Sequence, residues 1–189
     1  MISNKVEAIK DHVKAIMDIL EIKETDSNKN TPLRIAKMWC NELFVNRNNF
    51  NIEDLKDRMA LFPNDYHENE MVIVKDIPFS STCEHHWLPF SGTATVGYVP
   101  YKSVIGLSKI PRIVKFFSKK PQLQEQLTSE ICKFLDEVVK PKAVFIEVKA
   151  KHQCVMCRGA ESDCETVTYA KIIHTPEASK YWEEFKIRL

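Results

Sequence analysis

KAVFIEVKAKHQCVMC, residues 142–157, alternates in side-chain character from one position to the next. Successive side chains of a strand point to opposite faces, so the stretch predicts one long strand. Val144, Ile146, Val148, Ala150, His152, Cys154 and Met156 share one face, and Glu147, Lys149 and Lys151 share the other. The even face is therefore the one expected to be buried, with His152 and Cys154 pointing inward side by side. Residues 164–173 read as its antiparallel partner. Upstream, 71–79 (MVIVKDIPF) and 93–99 (TATVGYV) are rich in β-formers and predict a second strand pair.

Helices fill the remaining segments. Val6, Ile9, Val13, Ile16 and Leu20 recur in steps of three and four and mark an amphipathic helix over 3–22. Thr31-Pro32 is a helix-start signal, with Thr as the cap and Pro in the first turn. Ile35, Met38, Trp39 and Leu43 form the apolar stripe of that second helix. A polar, Asn-rich connection is expected around 46–54. A helical stretch lies near 108–119. Pro121 is expected to open another helix, with the stripe Leu123, Leu127, Ile131, Leu135 and Val138. The tail, 176–187, is a short helix carrying Tyr181, Trp182 and Phe185. The order ααββααββα, strand pairs separated by a helical pair, implies an α+β fold with antiparallel sheet.

The whole chain has 189 residues and a formal net charge of +1. Near-neutral charge argues against a nucleic-acid binder driven by bulk charge. No apolar run reaches the ~18–20 residues of a membrane span, and the charged start MISNKVEAIKDH offers no signal-peptide core. A cytoplasmic protein with neither membrane nor nucleic acid as partner is the expectation. With only 4 glycines, a Gly-rich phosphate loop is not expected, and no such motif occurs.

Six cysteines stand at 40, 83, 132, 154, 157 and 164. Cys40 and Cys132 sit in helical apolar patterns and read as small core residues. Cys83-Glu84-His85-His86 places a thiol and an imidazole three apart, a spacing from which both can reach one metal ion. Cys83, His86 and the inward Cys154 then make three ligands, which leaves a tetrahedral zinc ion one open corner, the catalytic arrangement. A Cys154–Cys157 knuckle would need a tight turn, and no Gly lies between the two. Cys157 is therefore expected to point outward and Cys164 to be a packing residue.

These stretches resemble the GTP cyclohydrolase I family. The matching residues are Thr31-Pro32-Leu33-Arg34-Ile35-Ala36-Lys37-Met38, Cys83-Glu84-His85-His86, Val104-Ile105-Gly106-Leu107-Ser108-Lys109-Ile110, Arg112-Ile113-Val114, Pro121-Gln122-Leu123-Gln124-Glu125, His152-Gln153-Cys154 and Arg158-Gly159. Their order and spacing, from about 31 to 168, make the match specific. The resemblance implies the tunnelling fold, an antiparallel sheet with a helical pair on one face, with added N-terminal helices. Residues 1–50 would be an N-terminal helical region and 51–189 the catalytic domain. It implies conversion of GTP and water to formate and 7,8-dihydroneopterin triphosphate, a step of pterin and folate synthesis, in a homodecamer with sites between subunits. Carried over by position, Cys83, His86 and Cys154 match the zinc ligands, and His85 and His152 the catalytic histidines. Glu125, helped by Gln124, matches the guanine-recognition position. Arg34, Lys37, Ser108, Lys109, Arg112 and Arg158 match the triphosphate contacts.

The chemistry suits those residues. Opening the imidazole ring of GTP requires water to add at C8, and zinc lowers the pKa of bound water to ~7. A histidine, with an ordinary pKa of ~6.5, can move the protons that follow. Guanine offers N1–H and N2–H side by side, and one carboxylate can accept both. Lys109 and Arg112, like Arg34 and Lys37, are one helical turn apart and can face one anion. The resemblance departs at Ala160-Glu161-Ser162-Asp163-Cys164-Glu165, acidic and about one residue short, and at Tyr169-Ala170-Lys171, where the family often has glycine. A zinc nucleoside deaminase fits poorly, because Gln153 stands where its Pro should precede Cys154. A non-catalytic zinc-stabilised scaffold of the same fold is the remaining alternative, and it requires a closed four-ligand site that recruits Cys157.

Overall fold

A computed structural model describes residues 2–46, 52–67 and 69–189. Two helices come first, α1 (Ile2–Ile19) and α2 (Thr31–Met38), the second running into a π-helical turn at Trp39–Leu43. Helix α3 (Ile52–Asp57) and strand β1 (Leu61–Pro63) lead to the long hairpin β2 (Val72–Cys83) and β3 (Pro89–Val99). Then come β4 (Ser103–Ile105), α4 (Lys109–Phe117), β5 (Pro121–Gln122) and α5 (Gln124–Val139). The chain ends with β6 (Ala143–His152), α6 (Gln153–Met156), β7 (Glu165–Ile173), a 3-10 turn and α7 (Lys180–Ile187).

The main sheet has the order β5-β2-β3-β6-β7. Every pairing is antiparallel except the short parallel contact of β5 with β2. As the alternation implied, Val144, Ile146, Val148 and Ala150 lie in one core with Phe90, Ala94, Val96 and Tyr98 of β3. That core is closed by Ile110, Ile113, Val114 and Phe117 of α4 and Leu127, Ile131 and Leu135 of α5. Burial of each such side chain is worth roughly 1.5–3 kcal/mol, which makes this α+β layer the stable frame for anything mounted on its edge. The helical pair covers one face, as implied. Between β3 and β6 the backbones approach closely, and a Cβ at Gly92 would lie 1.9 Å from the Lys149 carbonyl oxygen. Only glycine fits there without spreading the strands.

Several expectations need correction, each for a non-local reason. The strand expected over 142–157 stops at His152, because its partners stop: Phe90 pairs with His152 and Glu165 with Lys151, and nothing continues the ladder. The chain then coils into α6, so Cys154 is helical. The odd face of β6 is not simply outward. Glu147 is 2% exposed, its carboxylate taken by Lys149 Nζ at 3.0 Å and Tyr169 Oη at 3.2 Å. Beside it, Phe145 is buried by Tyr181 and Phe185 of α7, which covers this face.

Pro121 opens no helix. It pairs with Thr82 at the sheet edge, where a residue without an N–H is tolerated, and α5 begins at Gln124. Thr31 is the first helical residue rather than the cap, since the Asn30 carbonyl already accepts the first helical bond, from Arg34 N–H at 3.0 Å. In α2 the buried residues are Pro32 and Ala36, while Ile35 and Met38 are half-buried. The reason is that α1 lies over that side, placing Val6 against Ala36 and the buried Cys40. Cys132 is buried in the main core as expected. Of the polar connection expected at 46–54, residues 47–51 lie outside the described residues and Ile52 already starts α3. The atypical Tyr169-Ala170-Lys171 still pairs in register with Glu147, Ile146 and Phe145, so it leaves the sheet intact.

Candidate metal centre

The hairpin β2–β3 ends in a tight turn that carries Glu84, His85 and His86. It is closed by Cys83 N–H donating to the Leu88 carbonyl at 2.9 Å and Trp87 N–H donating to the Cys83 carbonyl at 2.9 Å. Trp87 has φ +53°, a left-handed conformation that costs a bulky residue about 1–3 kcal/mol. Aromatic packing offsets that cost: the Trp87 ring meets Trp39 edge-on at 5.3 Å and Phe44 at 5.4 Å. The N-terminal helices thus clamp the turn from outside, through a residue that sequence reading did not single out.

Cys83 is buried at the end of β2, His86 is exposed on the turn, and Cys154 is half-buried in α6. Their ligand atoms lie within 4.8 Å of one another, with Cys83 Sγ 3.9 Å from His86 Nδ1. Tetrahedral zinc, with bonds of about 2.3 Å to sulfur and 2.0–2.1 Å to nitrogen, would set such a pair about 3.6 Å apart. The donor set fits a metal in chemistry as well as distance. Without a cation, burial and then the neighbouring Cys83 thiol push the Cys154 thiol above its ordinary pKa, while Arg158 pulls it down. A bound dication reverses that balance, since a coordinating thiol is deprotonated outright. Cys157 and Cys164 are exposed and outside the group, so among the described residues no fourth thiol closes the site as a scaffold would require.

Two histidines flank the cluster in different settings. His85 projects from the turn with 62% of its side chain exposed, and Glu84 Oε1 stands 3.9 Å away. His152 is half-buried, stacked flat on Phe90 with centroids 4.6 Å apart, and hydrogen-bonded through Nε2 to Gln124 Oε1 at 2.8 Å. Burial lowers its pKa, and the Glu125 carboxylate opposes the shift. That interaction places Glu125, exposed in the first turn of α5, on the same side as His152. Gln124 itself is 1% exposed and inside the fold.

The cations expected to hold triphosphate are spread over other elements. Arg34 and Lys37 lie exposed on α2, Ser108, Lys109 and Arg112 around the start of α4, and Arg158 just after α6. None of Arg34, Lys37, Lys109, Arg112 or Arg158 forms an ion pair among the described residues. Arg158 stands close enough to the cluster to act on the Cys154 thiol.

Known proteins resemble the chain over most of its length. A family model described as GTP cyclohydrolase I matches residues 9–185. The chain is 44% identical over 161 residues to GTP cyclohydrolase 1 of Blochmanniella pennsylvanica, covering 85% of this chain and 71% of that protein. It is 43% identical over 175 residues to GTP cyclohydrolase 1 of Thermoanaerobacter pseudethanolicus, covering 88% and 90%. Among solved structures, the apo archaeosine synthase QueF-Like is a distant likeness, with TM-score 0.45 and 19% identity over 56% of this chain and 94% of that one.

Proposed function

The chain belongs to the GTP cyclohydrolase I family, and from that premise we propose how its residues open the imidazole ring of GTP. The observation that carries the reading is the convergence of Cys83, His86 and Cys154 from two distant segments, with His152 and Glu125 alongside.

The Cys₂His set would hold one zinc ion, which when bound supplies a water of pKa ~7 next to the base. Everything else falls to the chain. Glu125 accepts the guanine N1–H and N2–H on its two carboxylate oxygens and so orients C8. His85, exposed on its turn, carries the proton to the ring nitrogen as the C8–N bond gives way. His152, held by Phe90 and Gln124, is the second proton handler. Arg34, Lys37, Ser108, Lys109, Arg112 and Arg158 bind the triphosphate. The family resemblance implies a homo-oligomer, a decamer, with each site completed across subunits. Residues 1–50 then form the helical region that braces the metal turn, and 51–189 the catalytic unit. The product, 7,8-dihydroneopterin triphosphate, belongs to pterin and folate synthesis. No helix among the described residues is long and apolar enough to cross a membrane, which supports placing the enzyme in the cytoplasm.

The zinc-loaded protein given GTP is expected to release formate and a pteridine in equal amounts, followed by product mass. ATP presents no paired N–H donors to Glu125 and would leave the carboxylate unmatched, so its turnover is expected to be at least ~10⁴-fold lower. Absence of formate from GTP, or equal use of ATP, contradicts the reading.

A further inference from the structure

Gln124 opens α5, yet its side chain is turned into the protein. The two hydrogens of its Nε2 are shared among three acceptors, the Val148 carbonyl at 2.9 Å, the Thr166 carbonyl at 3.0 Å and Thr168 Oγ1 at 3.1 Å. Backbone carbonyls only accept, so the amide cannot be reversed without setting its own oxygen against two others. The hydroxyls impose the same direction. Thr128 Oγ1 donates to the Gln124 carbonyl at 2.7 Å, which uses its single hydrogen. Thr168 must then donate to Thr128 across their 2.6 Å contact, leaving a Thr168 lone pair for Gln124 Nε2.

With the amide fixed, Oε1 is the atom that faces His152, 2.8 Å from Nε2. An acceptor at that distance demands a hydrogen on Nε2. The ring cannot flip to put carbon there instead, since a C–H···O contact needs about 3.3–3.6 Å. The flat stack on Phe90 holds the ring plane. Neutral His152 therefore keeps its hydrogen on Nε2 and its lone pair on Nδ1.

We propose that Gln124 is a positioning residue, not a guanine contact: through Val148, Thr166, Thr168 and Thr128 it locks His152 in the Nε2–H tautomer, leaving Nδ1 as the ring nitrogen that meets substrate. Guanine recognition then rests on Glu125 alone of this pair, because both Gln124 amide hydrogens are already engaged. This deepens the reading of the site as a GTP cyclohydrolase and rests on His152 being catalytic there.

The test is nitrogen NMR of the zinc-loaded, 15N-histidine-labelled protein, with the His152 signals assigned by their loss in His152→Asn. The expected result is a protonated Nε2 and a bare Nδ1. A hydrogen on Nδ1 with a bare Nε2 overturns the proposal, whatever the activity of the protein. In Gln124→Leu the tautomer preference should be lost, with kcat down by about 10²-fold, the low end for an acid–base group, and KM for GTP unchanged. A raised KM with kcat retained would make Gln124 a substrate contact and refute the proposal. Should that variant fail to fold, the wild-type spectrum decides alone. A protein with the expected tautomer that releases no formate from GTP refutes the functional reading and leaves the Gln124–His152 lock standing.

Discussion

Replacement of Cys154 by serine is expected to remove both the metal and the activity while leaving the fold in place. Cys154 supplies one of the three ligand atoms gathered within 4.8 Å among the described residues, so its loss leaves two donors there, too few to hold zinc against solvent. A serine hydroxyl does not replace a thiolate, because it stays protonated near neutral pH and is a poor match for zinc. Without the metal, water at the site returns to its ordinary pKa, far above the ~7 of zinc-bound water, and a loss of turnover of at least about 10³-fold follows. Stability should change little, since Cys154 sits in α6, beyond the last paired residue of β6, and is only half-buried. Elemental analysis, formate release and thermal unfolding of the same preparation check the three parts. A Cys154→Ser protein that keeps one zinc per chain and turns over normally contradicts the ligand assignment.

The second large effect is expected from His85→Ala, with the opposite pattern. His85 is not in the ligand group, and its contacts in the fold are slight: Glu84 Oε1 at 3.9 Å and the His86 ring at 6.1 Å. Its removal should therefore spare both zinc content and stability. As the group assigned to protonate the breaking imidazole, it should take about 10²–10⁴-fold of kcat with it. Full rate in the variant would refute the acid–base role, and loss of zinc would show that the imidazole belongs to the metal. The contrast between the two variants separates holding the ion from moving the proton.

Much of this was legible in the sequence, and the failures share a cause. The alternation of Val144, Ile146, Val148 and Ala150 located the buried face of β6 because periodicity is local. It could not say where the strand ends, which depends on β3 and β7 running out of partners at Phe90 and Glu165. Cys154 was reached by extending that alternation, yet it comes to the metal group on a helical turn. Glu147 looks like a solvated charge until α7 and Tyr169 cover its face. Pro121-Gln122 is too short for any period to show, and its strand exists only because β2 passes beside it. Gln124 was visible as a family position, but the direction of its amide is set by carbonyls 24 and 42 residues away. Trp87 gave no signal at all, because its left-handed backbone is held by Trp39 and Phe44 from the N-terminal helices.

X-ray absorption at the zinc edge of the loaded enzyme tests the central claim most directly. Two sulfurs at about 2.3 Å with one nitrogen and one solvent oxygen at about 2.0–2.1 Å are predicted, the signature of Cys83, His86, Cys154 and an open corner. Three sulfurs and no oxygen would mean that another cysteine closes the site, and the catalytic account would not survive it.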